Sequence, residues 1–387
     1  MSSQIDSIES PSHPLHISRL NEADDKSIFK ITLNQEKLYY LETDFILIKS
    51  RNIDEPRAFI EYNPITDTNC LMLTLVPTFE RSSIKHVQTN MELIFMIDSS
   101  KSMKSANIEK TIETLLLLLS LPKCCFFNVI SIGHKRFHSI FEKSQKCSPM
   151  NIEEAIKKAQ KITAKGGTHI YEALEWIFKY SFPDMPTSII LFSNFETSNI
   201  KRIIKLIKNQ EKKKDLRIFS TGINIAVSHH FIDSIVRAGK GYAKYGSNSE
   251  LMNRKAVIML RNSLNPPIAD YNITWTNESN EESQCSNIKF QQALLKIPEL
   301  YVGVRFIAYC ILAKDVKSCE KTILESESKG PLHILDPIPL KGSKLHTLAA
   351  KKLIQEIEHG NYYPNNKEYI REQIVHLAKY YNLSFNN

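Results

Sequence analysis

An unbroken apolar run, Leu93-Ile94-Phe95-Met96-Ile97, predicts a strand buried on both faces, as at the centre of a parallel sheet. Ahead of it, residues 29–33, 44–48, 58–62 and 70–77 alternate or run in short apolar blocks. Strands in succession with polar turns between them predict an antiparallel sheet. Residues 1–26 are polar and broken by Pro11 and Pro14, which predicts a loose lead-in. Behind the central run, Ile108, Ile112, Leu115, Leu116 and Leu119 keep helical spacing. Strands predicted at 126–132, 137–141, 188–192 and 216–223 then alternate with helices predicted at 151–163, from 168 through Trp176, and at 199–209, 228–238 and 249–260. That rhythm predicts an α/β architecture with a doubly wound, mostly parallel sheet. Further strands are predicted at 271–275, 301–309 and 331–335, then an amphipathic helix at 345–359 ended by Gly360, and a last helix at 367–380.

The bulk numbers leave this picture unchanged and exclude some functions. A chain of 387 residues, 42% hydrophobic and 24% charged, can bury a large core and form more than one domain. The formal charge of +8 is mild, and its lysines fall in helical segments (Lys157, Lys158, Lys161; Lys201, Lys205, Lys208; Lys212, Lys213, Lys214) that read as solvated faces rather than a nucleic-acid stripe. No apolar run has the length of a membrane span, and the amino terminus MSSQIDSIES has no secretory pattern. Cys70, Cys124, Cys125, Cys147, Cys285, Cys310 and Cys319 form no CxxC pair, so reduced thiols in a cytoplasmic setting are expected.

Candidate chemistry starts where the central run ends. Asp98, Ser100 and Ser102 place one carboxylate and two hydroxyls at alternate positions, at the carboxyl end of a central strand where open α/β sheets bind ligands. Hard oxygens of this kind suit Mg²⁺ or Mn²⁺. Ser and Asp also cap helices and fill turns, so this spacing alone decides little. Two more loops bear on it: Gly166-Gly167-Thr168 opens a helix, and the strand 188–192 ends in Ser193-Asn194-Phe195-Glu196.

Together these stretches resemble the metal-ion-dependent adhesion site of the von Willebrand factor type A fold. The resemblance implies metal ligands at Asp98, Ser100, Ser102 and Thr168, with Asn194 where the family carries an Asp within Thr-Asp-Gly. Asn keeps a carbonyl oxygen and loses the charge, which weakens the pull on a divalent cation; Glu196 is a conceivable substitute, and His169 stands beside the site. The segments Ser10-Pro11-Ser12-His13, Glu55-Pro56-Arg57-Ala58, Met72-Leu73-Thr74-Leu75-Val76-Pro77 and His346-Thr347-Leu348-Ala349-Ala350 are similar to proteins that join a vault/inter-alpha-trypsin domain to a type A domain. That preceding domain is expected to be missing from this chain.

The resemblance then implies five regions: a loose segment at 1–27, β-rich residues 28–90, a type A domain at 91–262 whose final edge strand falls at 239–243, β-rich residues 263–340 completing a sandwich, and C-terminal helices at 341–387. It implies a non-catalytic module that binds a protein partner, with a partner's acidic side chain filling the metal's open position, and neither nucleic acid nor a membrane span. Oligomeric state stays open. One rival is a scaffold with a vestigial metal site, binding through the sandwich or the helices. The other is a metal-dependent phosphohydrolase using Asp98; Ser100 breaks the Asp-x-Asp signature, and no Gly-x-Ser-x-Gly, Walker or dinucleotide loop occurs.

Overall fold

The structure is a computed structural model that describes residues 5–7, 15–19, 29–33, 49–50, 55–77, 90–103, 106–120, 126–133, 137–167, 169–193, 199–222, 229–245, 249–269, 271–276, 290–293, 297–314, 316, 318–326, 330–358, 367–381 and 383. In chain order the first strands are β1 (Ile5–Ser7), β2 (Leu15–Arg19), β3 (Phe29–Leu33), β4 (Lys49–Ser50), β5 (Arg57–Asn63) and β6 (Thr68–Leu75). Next come β7 (Glu92–Asp98), α1 (Ala106–Leu119), β8 (Phe126–Ile132), β9 (Phe137–Ser139), β10 (Gln145–Lys146), α2 (Pro149–Ala159) and α3 (Ile170–Tyr180). Then follow β11 (Thr187–Phe192), α4 (Ile200–Glu211), β12 (Leu216–Gly222), α5 (His229–Ala238), β13 (Ala243–Tyr245) and α6 (Ser249–Leu264). The last elements are β14 (Tyr271–Thr276), β15 (Phe290–Gln292), β16 (Phe306–Leu312), β17 (Lys321–Ser326), β18 (Gly330–Leu335), β19 (Ile338–Lys341), α7 (Lys344–Glu358) and α8 (Lys367–Tyr380).

Two compact units result, one from residues 79–269 and one from 1–78 with 270–387. In the first, the strand order is β10-β8-β7-β11-β12-β13, with β9 on β8. The pairs β8·β7, β7·β11, β11·β12 and β12·β13 are parallel, and only β9 and β10 run antiparallel. Every residue of β7 and β11 is buried, as the apolar runs predict for strands covered on both faces. On one face Ile94, Met96, Ile189 and Leu191 pack with Ile170, Ala173 and Ile177 of α3, Ile203 and Ile207 of α4, and Ile232 and Ile235 of α5. Such side chains contribute roughly 1.5–3 kcal/mol each on burial. Because β8 lies on one side of β7 and β11 on the other, the chain reverses its winding at β7. A crevice opens at the carboxyl end of such a strand pair.

In the second unit the order β15-β16-β6-β5-β19 forms one sheet and β14-β17-β18 another. Strand β6 pairs antiparallel with β16 (Leu71↔Cys310) and β5 pairs parallel with β19 (Phe59↔Ile338). Segments from both ends of the chain therefore share one sheet. Phe59, Cys70, Tyr309 and Ile311 form its core with Leu345, Ala349, Leu353 and Ile357 of α7 and Leu377 of α8.

Three sequence expectations shift. The strand expected at 301–309 starts only at Phe306, because Val304 N–H turns back onto the Tyr301 carbonyl at 3.1 Å. The edge strand expected at 239–243 becomes β13 at Ala243–Tyr245, since Gly241 N–H closes the end of α5 on the Val236 carbonyl at 2.8 Å. The strand expected at 137–141 ends at Ser139. The strand expected at 44–48 lies outside the described residues.

Candidate functional site at the carboxyl end of the parallel sheet

Asp98 is the last residue of β7 and is fully buried. Its Oδ1 accepts the Ser100 N–H at 2.8 Å, an Asx turn that bends the chain out of the strand. A short 3₁₀ turn, Lys101–Met103, follows, pinned by the buried Met103. That turn brings Ser100 Oγ and Ser102 Oγ to 2.8 Å from one another, with Ser100 buried and Ser102 exposed. The two hydroxyls and the carboxylate predicted as ligands thus sit together on one loop.

Two neighbouring loops are stitched to it through the backbone. Ser99 lies against the end of β8, its N–H and Oγ–H both donating to the Ile132 carbonyl at 2.7 and 2.9 Å. The Ser99 carbonyl accepts the Lys165 N–H at 2.7 Å, and the Lys101 N–H reaches the Gly166 carbonyl at 3.1 Å. Gly166 adopts φ +94°, the left-handed region that glycine enters without strain. The loop that leads into Thr168 is thereby held beside the Asp98 loop. Thr168 and Asn194, the other two expected ligands, and Glu196 lie outside the described residues. His169 is half-buried at the start of α3 and makes no side-chain capping bond.

The third loop contributes a residue absent from the expected ligand set. Parallel register sets Ile97 opposite Phe192, so Ser193 follows β11 alongside Asp98. Ser193 Oγ–H points to Asp98 Oδ2 at 3.5 Å, and both residues are fully buried. Its signal in the sequence was its place one residue beyond a buried strand that neighbours β7. Exposed Lys101 and Lys165 flank the stitched loops. Among the described residues no group of three His, Cys, Asp or Glu forms a candidate metal cluster. The oxygen set there is therefore one carboxylate among hydroxyls, hard donors that fit Mg²⁺ or Mn²⁺ in type but supply a single negative charge.

The sequence reading also missed a polar centre at the opposite end of β7. Glu92, buried, accepts from Thr187 Oγ1 at 3.0 Å, Ser144 Oγ at 2.5 Å and Phe182 N–H at 3.3 Å. Lys214 Nζ stands 4.0 Å away and donates to Ser181 Oγ and the Phe182 carbonyl, both at 2.8 Å. Burial lowers the Lys214 pKa, and the Glu92 charge works against that shift.

Comparison with known proteins agrees with this geometry. Residues 91–245 match the family model of the von Willebrand factor type A domain. A von Willebrand factor A domain-containing protein of Dictyostelium discoideum is 28% identical over 414 residues, covering all of this chain and 19% of that protein. The von Willebrand factor A domain-containing protein 5A of Rattus norvegicus is 27% identical over 373 residues, covering 89% of this chain and 44% of its own length. The chain thus spans less than half the length of these curated relatives. A solved von Willebrand factor type A protein from Catenulispora acidiphila covers 86% of this chain and 89% of its own at 12% identity, with a TM-score of 0.47, a likeness too weak to add to the sequence match. With its parallel sheet, its switch point at β7 and its Asp-x-Ser-x-Ser loop, the segment 91–245 is a von Willebrand factor type A domain, of a family of protein-interaction modules.

Proposed function

We propose that this chain binds a protein partner at the carboxyl end of its parallel sheet, over a metal-ion-dependent adhesion site formed by Asp98, Ser100, Ser102, Thr168 and Asn194. The observation that carries the reading is the buried Asp98 carboxylate at the sheet's switch point, with the Ser100 and Ser102 hydroxyls converging beside it. Mg²⁺ or Mn²⁺ bound there would supply a Lewis-acidic position for an acidic side chain of the partner. Lys101 and Lys165 on the rim favour the same acidic partner by Coulomb attraction. No catalytic role is assigned, and a cytoplasmic, reducing setting suits Cys70, Cys147, Cys310 and Cys319, which are free thiols. Among the described residues no helix is long and apolar enough to cross a membrane.

Asn194 sets the strength of this site. With Asp98 as the one carboxylate among the five, cation affinity should fall below that of a site with two. A second reading follows from the same residue: the loops keep their shape through their own hydrogen bonds, the metal site is vestigial, and the partner is held without a cation.

Calorimetric titration of Mg²⁺ and Mn²⁺ into the metal-free protein separates the two. Heat in the wild type that Asp98→Ala abolishes and Asn194→Asp strengthens is the expected result. A silent wild type with binding restored by Asn194→Asp would establish the vestigial site. No binding in either would remove the cation from the proposal altogether.

A further inference from the structure

The strongest local charge on the molecule lies away from this site, on and just beyond α4. Residues 199–215 hold Lys201, Arg202, Lys205, Lys208, Lys212, Lys213 and Lys214 against only Glu211 and Asp215. Helical geometry of about 100° per residue places Lys201, Lys205, Lys208 and Lys212 within an arc of about 60°, along about 16 Å of helix. Lys212 continues the helical path at φ −69°, ψ −19°. Ile203 and Ile207, on the opposite side, are buried in the core, so the helix is fixed with this stripe facing outward.

A solvated helix face ordinarily answers its own lysines, and α2 of the same domain does so. There Glu153 pairs with Lys157 at 2.6 Å and Glu154 with Lys158 at 2.7 Å, both i,i+4. The two carboxylates of this segment are engaged elsewhere, Glu211 by Lys240 at 2.6 Å and Asp215 by Arg217 at 3.4 Å. On the flanking helices Glu175 of α3 accepts from Tyr171 and Asp233 of α5 from Tyr245. Among the described residues no carboxylate comes within 4.0 Å of the amines of Lys201, Lys205, Lys208, Lys212 or Lys213. Their amines are left open to an external anion.

We propose that α4 is a docking face for an anionic phospholipid surface, met by the stripe Lys201, Lys205, Lys208 and Lys212 without insertion into the bilayer. The stripe is a straight convex ridge of point charges on flexible stems. A plane of laterally mobile headgroups can bring one anion to each amine, whereas duplex phosphates wind away from such a line. No large hydrophobic side chain of α4 is exposed, so nothing on this face would enter the hydrocarbon. The nearby Tyr171 ring carries the Arg202 guanidinium at 4.0 Å, so that face is not free to stack an unpaired base. Attraction of this kind is electrostatic and is screened within a Debye length, about 8 Å at physiological salt.

The test is co-sedimentation of the full 387-residue chain with vesicles of phosphatidylserine and phosphatidylcholine, against vesicles of phosphatidylcholine alone. Binding to the anionic vesicles only, lost as salt rises, is expected. Each lysine of the stripe changed to Gln should lower the apparent partition about fivefold. The fourfold variant Lys201→Gln, Lys205→Gln, Lys208→Gln, Lys212→Gln should abolish it. A control of equal charge, Lys143→Gln, Lys146→Gln, Lys157→Gln, Lys161→Gln, should keep it. The single variants keep the test decisive should the fourfold one unfold. Absence of binding at low salt, equal loss in stripe and control variants, or tighter stripe-dependent binding to duplex DNA or RNA would each overturn the proposal.

Discussion

The Glu61 carboxylate and the His346 imidazole meet at 2.9 Å although 285 residues separate them in the chain. Both are buried, His346 completely. Glu61 also accepts the backbone N–H groups of Lys344 at 3.0 Å and Leu345 at 2.9 Å, so it caps the amino end of α7. The other His346 nitrogen bonds Thr68 Oγ1 at 3.1 Å, and Thr68 in turn reaches Thr66 at 2.7 Å. One side chain on β5 therefore fastens a helix from the far end of the chain to the five-stranded sheet. Burial pulls the Glu61 pKa up, but the side-chain and backbone bonds from His346 and the backbone bond from Leu345 outweigh it and hold the group below its ordinary 4.5. Glu61→Gln should cost about 1–3 kcal/mol in denaturant unfolding at neutral pH. A lowered carboxylate stabilises the fold fully above its unfolded pKa and loses that contribution as pH falls through the folded value. The gap between wild type and Glu61→Gln should thus be widest at neutral pH and shrink below about pH 4.5.

Gly133, just beyond β8, is the point of closest approach beneath the Asp98 loop. A Cβ there would sit 2.5 Å from Ser99 Oγ and 2.7 Å from the Lys165 carbonyl, and it would also strike the Ser99 carbonyl. Two of these are backbone atoms held by the bonds that stitch the loops. Gly133→Ala should destabilise the type A domain by about 1–3 kcal/mol. Gly167→Ala, whose Cβ would meet only His169 Nε2 at 3.8 Å, should leave the melting temperature nearly unchanged. Thermal unfolding of the two variants side by side checks this, and equal shifts would show that the loop has room to move.

The Glu92 and Lys214 side chains are 1% and 6% exposed at 4.0 Å separation. Glu92 keeps three other donors when the lysine is removed, so the loss should be smaller than for a pair with no other partners. Lys214→Met is expected to cost about 1–3 kcal/mol. Lys213→Met, one residue earlier and exposed, should stay within about 0.5 kcal/mol. Urea denaturation of both variants reads the difference. Equal costs would mean that the pair adds nothing beyond a surface lysine.

The elements easiest to read from sequence were those whose burial left a periodic trace. The runs that became β7 and β11 are apolar throughout because helices cover both faces, and Leu345, Ala349, Leu353 and Ile357 keep the spacing of one helical face. Boundaries fared worse where a backbone hydrogen bond, which leaves no mark on hydrophobicity, ends an element. Val304 bonding Tyr301 and Gly241 bonding Val236 are two such cases. In the candidate site, Asp98, Ser100 and Ser102 were legible because their spacing lies within one loop. Ser193 was not, since its nearness to Asp98 depends on the register between β7 and β11.

The sequence by itself determined the α/β rhythm, the buried central strand and the oxygen-rich loop at its end, because each is written in residues close together along the chain. Only the tertiary structure decided which distant groups answer one another. It set Glu61 against His346, Ser193 beside Asp98, Gly133 beneath Ser99, and the α4 lysines on a face with no carboxylate to pair with among the described residues. The physical reason is that pairing and packing energies act across space. Strand register and helix docking, rather than separation along the chain, choose the partners.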